Sequence, residues 1–330
     1  MKIDYNIFYR EEMPLNKKWN YHADIFISAF NLSERVNFVF NKLRADNKRW
    51  IVHQEYSIDP VLLPSNNCFI CNCGSKNDYR EDDFCHEIIS HEIGTLLLSA
   101  ENICIDITGF IKPYMMTLIS WLVSKGKKKI DVLFSEPKVY AKKANTTFAG
   151  EFNEIRPVAG YYGIGHSTGT EEETLVIGAG YDDALISGVA ENKNTATRKI
   201  QIFGFPSLRA DMYQENVLRA TRAAVAAEFN YTSREDPFQF FAPANDPFAT
   251  ASVLQHIFKK YNNPKDSWYL CPVSTKSQAL GFILFYLNEC QGKPVSIIYP
   301  FGKTHEAKTS DGVARIWKYT LEFPGAPRVR

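Results

Sequence analysis

The 330-residue chain carries none of the short motifs that mark the commonest phosphate- and ester-processing enzymes. There is no G-x-x-x-x-G-K-[ST] loop to cradle a triphosphate, no G-x-S-x-G elbow to present a nucleophilic serine, and no H-E-x-x-H pair to hold zinc. A surplus of one charge is lacking too. Thirty-eight Lys and Arg stand against 37 Asp and Glu, a formal net charge of +1, so no global field gathers nucleic acid. No apolar run approaches the ~18 residues of a membrane span, and the polar opening MKIDYNIFYREE has no signal-peptide character. With seven Cys and no secretory signal, these absences lead to the expectation of a cytoplasmic protein with reduced thiols and no membrane partner.

What is present is an alternation of apolar strands and amphipathic helices. The composition, 45% hydrophobic and 23% charged, is ordinarily globular, and the length suggests about two domains. The organising stretch is ENICIDITGFIKPYMMTLISWLVSKGKKKIDVLFSEP, residues 101–137. It reads as a strand from Ile103, a turn at Thr108-Gly109, a helix with Pro113 in its first turn, and a second strand from Val132. Met115, Leu118, Ile119 and Leu122 recur at helical spacing. This is a βαβ unit, which implies a parallel sheet. The stretch 268–301 repeats it. Setting Lys276 on Lys112 aligns the strands that follow without a gap, Ser135 opposite Tyr299. The fold class expected is therefore α/β, with two Rossmann-like three-layer α/β/α halves and mostly parallel sheets. The boundaries read as 1–150 and 151–330. Further strands are expected at 24–30, 50–56, 68–73, 175–177, 199–203, 238–241 and 315–323. Helices are expected after Ser33, over 84–100, 182–191 and 247–261, and from about 211. Residues 1–20 read as a polar lead-in.

In parallel sheets of this kind ligands bind beyond the carboxyl ends of the strands. Thr108, Gly109, Lys112 and Glu136 fall there in the first half, and Asp182, Asp183, Arg209, Asp246, Thr275 and Lys276 in the second. Each has a plainer reading. Gly178-Ala-Gly180 suits the start of a dinucleotide fingerprint, but Asp183 stands where the third glycine belongs and no acid ends the following strand. No dinucleotide cofactor is expected. Asp182 and Asp183 either cap a helix dipole or hold ribose hydroxyls or act as a base. Arg209 grips a phosphate or pairs with Asp211. Asp246 before Pro247 fits capping equally well. Cys68, Cys71, Cys73, Cys85, His86 and His91 crowd together, but a zinc motif would need a second knuckle, and buried strand thiols explain the cluster without metal. His166 in a Gly-rich loop is a candidate acid or base or simply exposed. Lys125 and Lys127–Lys129 read as a solvated helix end. No catalytic residue is assigned.

DITGFIKPYM, residues 106–115, resembles the Thr-Gly-Gly-Thr-Lys-x-Met type turn of CARF domains, the CRISPR-associated Rossmann folds. Thr108, Gly109, Lys112 and Met115 match in type, whereas Phe110 and Ile111 depart from that pattern. PVSTKSQAL, residues 272–280, is similar in its Thr275-Lys276 pair and has no glycine. The resemblance covers these two turns. It implies a nucleotide-like anionic ligand, a sensor or regulatory role in prokaryotic antiviral defence, and an effector protein as partner, because no separate effector region is present. Two such halves in one chain would supply both sides of the cleft that the family forms as dimers. The other readings are a hydrolase acting on a nucleotide, a cyclic oligonucleotide or NAD, and a scaffold subunit of a larger complex.

Overall fold

The computed structural model describes residues 3–71, 79–140, 152–165, 172–180, 182–209, 212, 214, 217–218, 238–263, 266–302, 305–306 and 310–325. The chain divides into two compact units. The first comprises Phe8–Gly150 and Lys303–Arg330, the second Met1–Ile7 and Glu151–Gly302. In chain order the elements are β1 Arg10–Glu12, β2 His22–Ala29, α1 Glu34–Lys42, β3 Arg44–Val52, β4 Cys68–Ile70, α2 Glu81–Ser90, α3 Glu92–Ser99, β5 Ile103–Asp106, α4 Lys112–Ser124 and β6 Lys129–Tyr140. There follow β7 Phe152–Pro157, β8 Glu173–Ala179, α5 Asp183–Asn192, β9 Arg198–Gly204, β10 Gln239–Ala242, α6 Pro247–Tyr261, β11 Ser267–Pro272, α7 Lys276–Phe285, β12 Val295–Gly302 and β13 Ser310–Glu322.

The first unit holds a seven-stranded sheet in the order β1-β13-β6-β5-β2-β3-β4. Its five strands β2 to β6 are parallel, and β13 runs antiparallel beside β6. Numbered along the chain, the parallel strands lie third-second-first-fourth-fifth. The order therefore reverses between β2 and β5. Right-handed crossovers then set α1 on one face and α4 on the other. The central strand β5, ICID, is buried at every position, as expected where helices cover both faces. Helix α4 is apolar nearly all round and correspondingly buried from Pro113 to Ile119, as a helix enclosed by its own unit must be.

The second unit repeats this plan. Its six strands run β10-β9-β8-β11-β12-β7, the five from β8 to β12 parallel and β7 antiparallel beside β12. The parallel strands again lie third-second-first-fourth-fifth, with the reversal between β8 and β11. Register agrees as well as order. In the first unit Cys104, Ile105 and Asp106 pair with Asp131, Val132 and Leu133. In the second Trp268, Tyr269 and Leu270 pair with Val295, Ser296 and Ile297. The one gap-free shift that carries Lys112 onto Lys276 carries each of the first pairs onto its counterpart. Both lysines are the first residue of the helix that follows the fourth strand.

Several elements differ from the sequence reading. Strand β13 leaves the second half of the chain and returns to the first sheet, pairing with β6 and β1. The lead-in is structured: Trp19 is buried, β1 pairs with β13, and Tyr5 is buried with its hydroxyl donating to Glu289 at 2.8 Å. The 84–100 helix is two helices, broken at His91, whose extended backbone and Nδ1 cap α3. Strand β3 ends at Val52, so residues 53–56 form a turn beyond the sheet. Cys71 and Cys85 are buried and Cys68 half-buried. Cys73, His166, Asp211 and most of the helix expected from 211 lie outside the described residues, though Met212, Gln214, Val217 and Leu218 are helical. No helix among the described residues is long and apolar enough to cross a membrane.

At the reversal point of the first sheet the turn after β5 passes so close to β2 that a Cβ on Gly109 would stand 1.8 Å from the Ala29 carbonyl oxygen. Gly109→Ala should therefore destabilise the protein by about 2–4 kcal/mol, at the severe end of overpacking. Gly325→Ala, where a Cβ meets nothing, should change stability by less than about 0.5 kcal/mol. Urea unfolding of the two variants checks this, and equal midpoints would show that the turn can move aside.

Candidate functional site

In sheets of this order the crevice where the strand order reverses is the place for a ligand. In the first unit its floor is a set of buried polar groups. Asp106, at the end of β5, accepts from the Ser28 hydroxyl and from the Thr108 N–H, both at 3.0 Å. Thr108 is buried and its hydroxyl oxygen accepts from the Ser135 N–H at 3.0 Å, pinning the fourth strand to the fifth. The Gly109 carbonyl accepts from the Tyr56 hydroxyl at 2.8 Å. Glu136 points into a different arrangement. It is buried and accepts from Arg315 Nε and Trp317 Nε1, both at 2.7 Å, which ties β6 to β13.

In the second unit three of the expected site residues are helix caps. Asp182 accepts from the Leu185 N–H at 3.3 Å, Asp246 from the N–H groups of Phe248 and Ala249 at 3.0 Å, and Thr275 from the Gln278 N–H at 3.1 Å. The Thr275 hydroxyl also donates to the Ala244 carbonyl at 2.5 Å, joining the fourth-strand turn to the loop after β10. Asp183 is the first residue of α5. Arg209 is exposed beyond β9. Asp182, Asp246 and Thr275 thus each cap a helix, while Lys112 and Lys276 stand half-buried at helix starts.

Those two lysines stand out electrostatically. Among the described residues α1, α2 and α3 carry acids in their first turn, α5 begins with Asp183 behind the Asp182 cap, and α6 is capped by Asp246. That is the placement the helix dipole favours. Helices α4 and α7 have no acid in the first turn and begin with lysine. A cation at that end costs roughly 0.3–1 kcal/mol and adds to the positive potential of the free N–H groups. Such an arrangement suits an anion.

The structure also brings to this edge residues that the sequence reading passed over. Arg35, in the first turn of α1, is buried, and its guanidinium donates to the Ser135 carbonyl at 2.5 Å and to the Ser33 hydroxyl at 3.3 Å. Placing the second strand too late hid His53 and Glu55, which lie beyond its carboxyl end. The His53 ring is buried and stacks on Tyr114 at 4.8 Å, with Phe110 edge-on at 5.4 Å. The Tyr114 hydroxyl donates to Glu55, whose other carboxyl oxygen is buried with no hydrogen-bond partner among the described residues. No group of three or more His, Cys, Asp or Glu among the described residues is arranged to hold a metal ion. Comparison with family models, curated proteins and solved structures finds no match to this chain.

Burial holds the Glu55 carboxyl above the ordinary glutamate value of 4.5, against the opposing effect of the Tyr114 hydrogen bond. The folded state then binds that proton more tightly than the unfolded chain. The stabilisation is complete below the ordinary value and is lost as pH rises through the folded value. Glu55→Gln keeps an acceptor for Tyr114 and cannot ionise. Melting temperatures taken from about pH 4 to pH 8 should fall more steeply in the wild type than in this variant. Parallel curves would show that Glu55 ionises in the folded protein as easily as in water.

Proposed function

We propose that the protein binds a nucleotide-like anionic small molecule at the carboxyl edges of its parallel sheets and acts as a sensor or regulatory protein. The observation that carries this reading is the lysine at the first position of the helix after the fourth strand. It occurs in both units, at positions made equivalent by strand order and register, on the two helices that, among the described residues, lack the usual acid. An ammonium group and helix N–H groups at a sheet's reversal point are what a phosphate needs. The resemblance of residues 106–115 to the CARF turn supports a nucleotide as the anion's source. It also supports a role in prokaryotic antiviral defence, exerted through an effector protein. A second reading, hydrolysis of the bound nucleotide, draws on the buried Glu55–Tyr114 pair, since a carboxyl with a raised pKa beside a hydroxyl is a candidate acid or base.

Thermal-shift screening against nucleotides should find a ligand that raises the melting temperature. A charge-assisted contact contributes roughly 1.5–3 kcal/mol. Lys112→Ala and Lys276→Ala should each weaken the site of their own unit by about one to two orders of magnitude, at about 1.4 kcal/mol per tenfold. Stability should change little. Calorimetry on the folded double variant checks this, and an unchanged affinity would remove both lysines from the anion site. Chromatography of the incubated nucleotide separates binding from hydrolysis.

A further inference from the structure

The amino edge of the first sheet, at the other end of the strands from Lys112, collects cations. Pairing sets Phe26, Lys48, Cys104 and Asp131 level with one another. Lys129, two residues before Asp131, and Arg44, four before Lys48, therefore both stand at this edge. Their strands lie three spacings apart in the sheet, about 15 Å. The turn that joins α4 to β6 adds Lys125 and Lys128. The lead-in adds Lys17 and Lys18, because it closes on the end of α1, where Lys42 donates to the Leu15 carbonyl and Arg44 to the Trp19 carbonyl at 3.5 Å. Lys17, Lys18, Arg44, Lys125, Lys128 and Lys129 are exposed. None of them is in an ion pair among the described residues. Lys42, Lys48 and Lys127 add to the charge, since the groups they bond are neutral carbonyls: Lys48 donates to Phe40, and Lys127 to Leu98 at 2.8 Å and Ala100 at 2.6 Å. Against these cations stand Asp24, Asp46, Glu101, Asp131 and Glu322. Asp24 is engaged by the N–H groups of Glu101 and Asn102 at 2.8 Å, and Asp46 by His22 at 3.2 Å.

The second unit shows that the fold does not demand this charge. A helix dipole favours cations at the carboxyl end, which suits Lys42 in the last turn of α1 and Lys125 after α4. Yet the shift that equates Lys112 with Lys276 carries Lys125 onto Glu289, Lys127 onto Gln291 and Lys128 onto Gly292. Glu289 lies in the wider helical turn Tyr286–Cys290 that extends α7. The same connection is thus built with an acid at the helix end, held by the Tyr5 hydroxyl and Gln255 Nε2, each at 2.8 Å. Arg198 opens the second parallel strand of that unit as Arg44 does in the first, and it is paired with Glu172 at 3.6 Å. The unpaired cations belong to one repeat, and neither the backbone plan nor the dipole accounts for them.

We propose that this amino edge is a docking surface for an acidic face of a partner protein. Opposed charge patches steer association and fix register. Two observations favour a protein over a nucleic acid. Single-stranded nucleic acid is held by rings on which its bases stack. Here Trp19 is buried, and Phe38 and Phe40 are half-buried with Lys42 and Lys48 over their rings at 5.3 and 4.9 Å. The chain as a whole carries +1, so an edge this positive leaves the remainder net negative. A long polyanion would run from the patch into repulsion, whereas a compact acidic face meets the patch alone. The surface goes beyond the anion-binding reading and does not depend on it.

Fluorescence anisotropy on the full chain, with a labelled oligoglutamate peptide and a single-stranded oligoadenylate RNA of equal formal charge, tests the proposal. The peptide should bind more tightly than the RNA, and its binding should weaken as salt rises. Lys125→Glu/Lys128→Glu/Lys129→Glu should weaken it about tenfold or more. The melting temperature should change little, because all three side chains are exposed. Lys17→Glu/Lys18→Glu should act in the same direction, and it carries the test alone should the triple variant fail to fold. Lys259→Glu, at the exposed end of α6, should leave peptide binding unchanged. Wild-type affinity for the peptide in both edge variants would overturn the proposal, as would a folded wild type that binds no peptide. RNA bound in preference to the peptide, and lost in the edge variants, would make the edge a nucleic-acid surface and overturn it too.

Discussion

In each unit the turn after the fourth strand crosses the end of the first strand at backbone-to-backbone distance, and the rest of the edge depends on that crossing. Only glycine admits it. In the first unit the glycine is Gly109, pressed on the Ala29 carbonyl. In the second it lies on the opposite partner, where a Cβ on Gly180 would stand 2.4 Å from the Val273 carbonyl oxygen. The constraint is the same and the residue that meets it has changed sides. Because the crossing brings the turn onto the first strand, the helices after the first and fourth strands begin beside the same reversal point. Asp106, Thr108 and Tyr56 fasten the turn in place in the first unit. Thr275 does so in the second through Ala244.

A backbone plan fixed in this way leaves side chains free to differ. Strand pairing is made by main-chain groups, so register survives exchanges as large as Phe110 for Ser274 or Tyr114 for Gln278. Those exchanges decide chemistry. Aromatic rings bury area and exclude water. Serine and glutamine at equivalent depth gain little from burial and need partners. The same backbone plan can therefore carry aromatic packing in one repeat and polar groups at the equivalent positions of the other, which is why function has to be argued from the site and not from the fold.

The parts of the fold legible in the sequence were those where burial is two-sided and local. Strand β5 and helices α4 and α7 announce themselves as apolar runs because neighbours enclose them. Strand β3, RADNKRWIV, is half-exposed along its first half and buried only at Trp50, Ile51 and Val52. The hydrophobic pattern therefore marks only its second half and predicts a strand from Trp50 to Tyr56. That misplacement put Glu55 inside a strand and out of view. Arg35 was invisible for a different reason: an arginine after a capping serine normally faces water, and its burial follows from the Ser135 carbonyl, 100 residues away in the chain. The destination of β13 was equally illegible. Alternation shows that Arg315–Phe323 forms a strand but carries no information about which sheet receives it.

The lysines at α4 and α7 are the clearest conflict between local preference and fold. Pro113 and Thr275 make good helix starts, so helix formation does not require a cation there. A glutamate at either position would gain from the dipole where lysine loses, and the half-buried ammonium pays additional desolvation. Five other helices of the same chain place acids at this end, so the chain is not indifferent to the rule. The two exceptions among the described helices both lie at the edge of a sheet's reversal point. With a net charge of +1 spread over 330 residues, the positive potential at those helix starts is local, made by the ammonium and the N–H groups it adjoins. An anion seated there turns the unfavourable placement into a favourable one, since the same ammonium then faces a negative charge in place of the helix dipole's positive end.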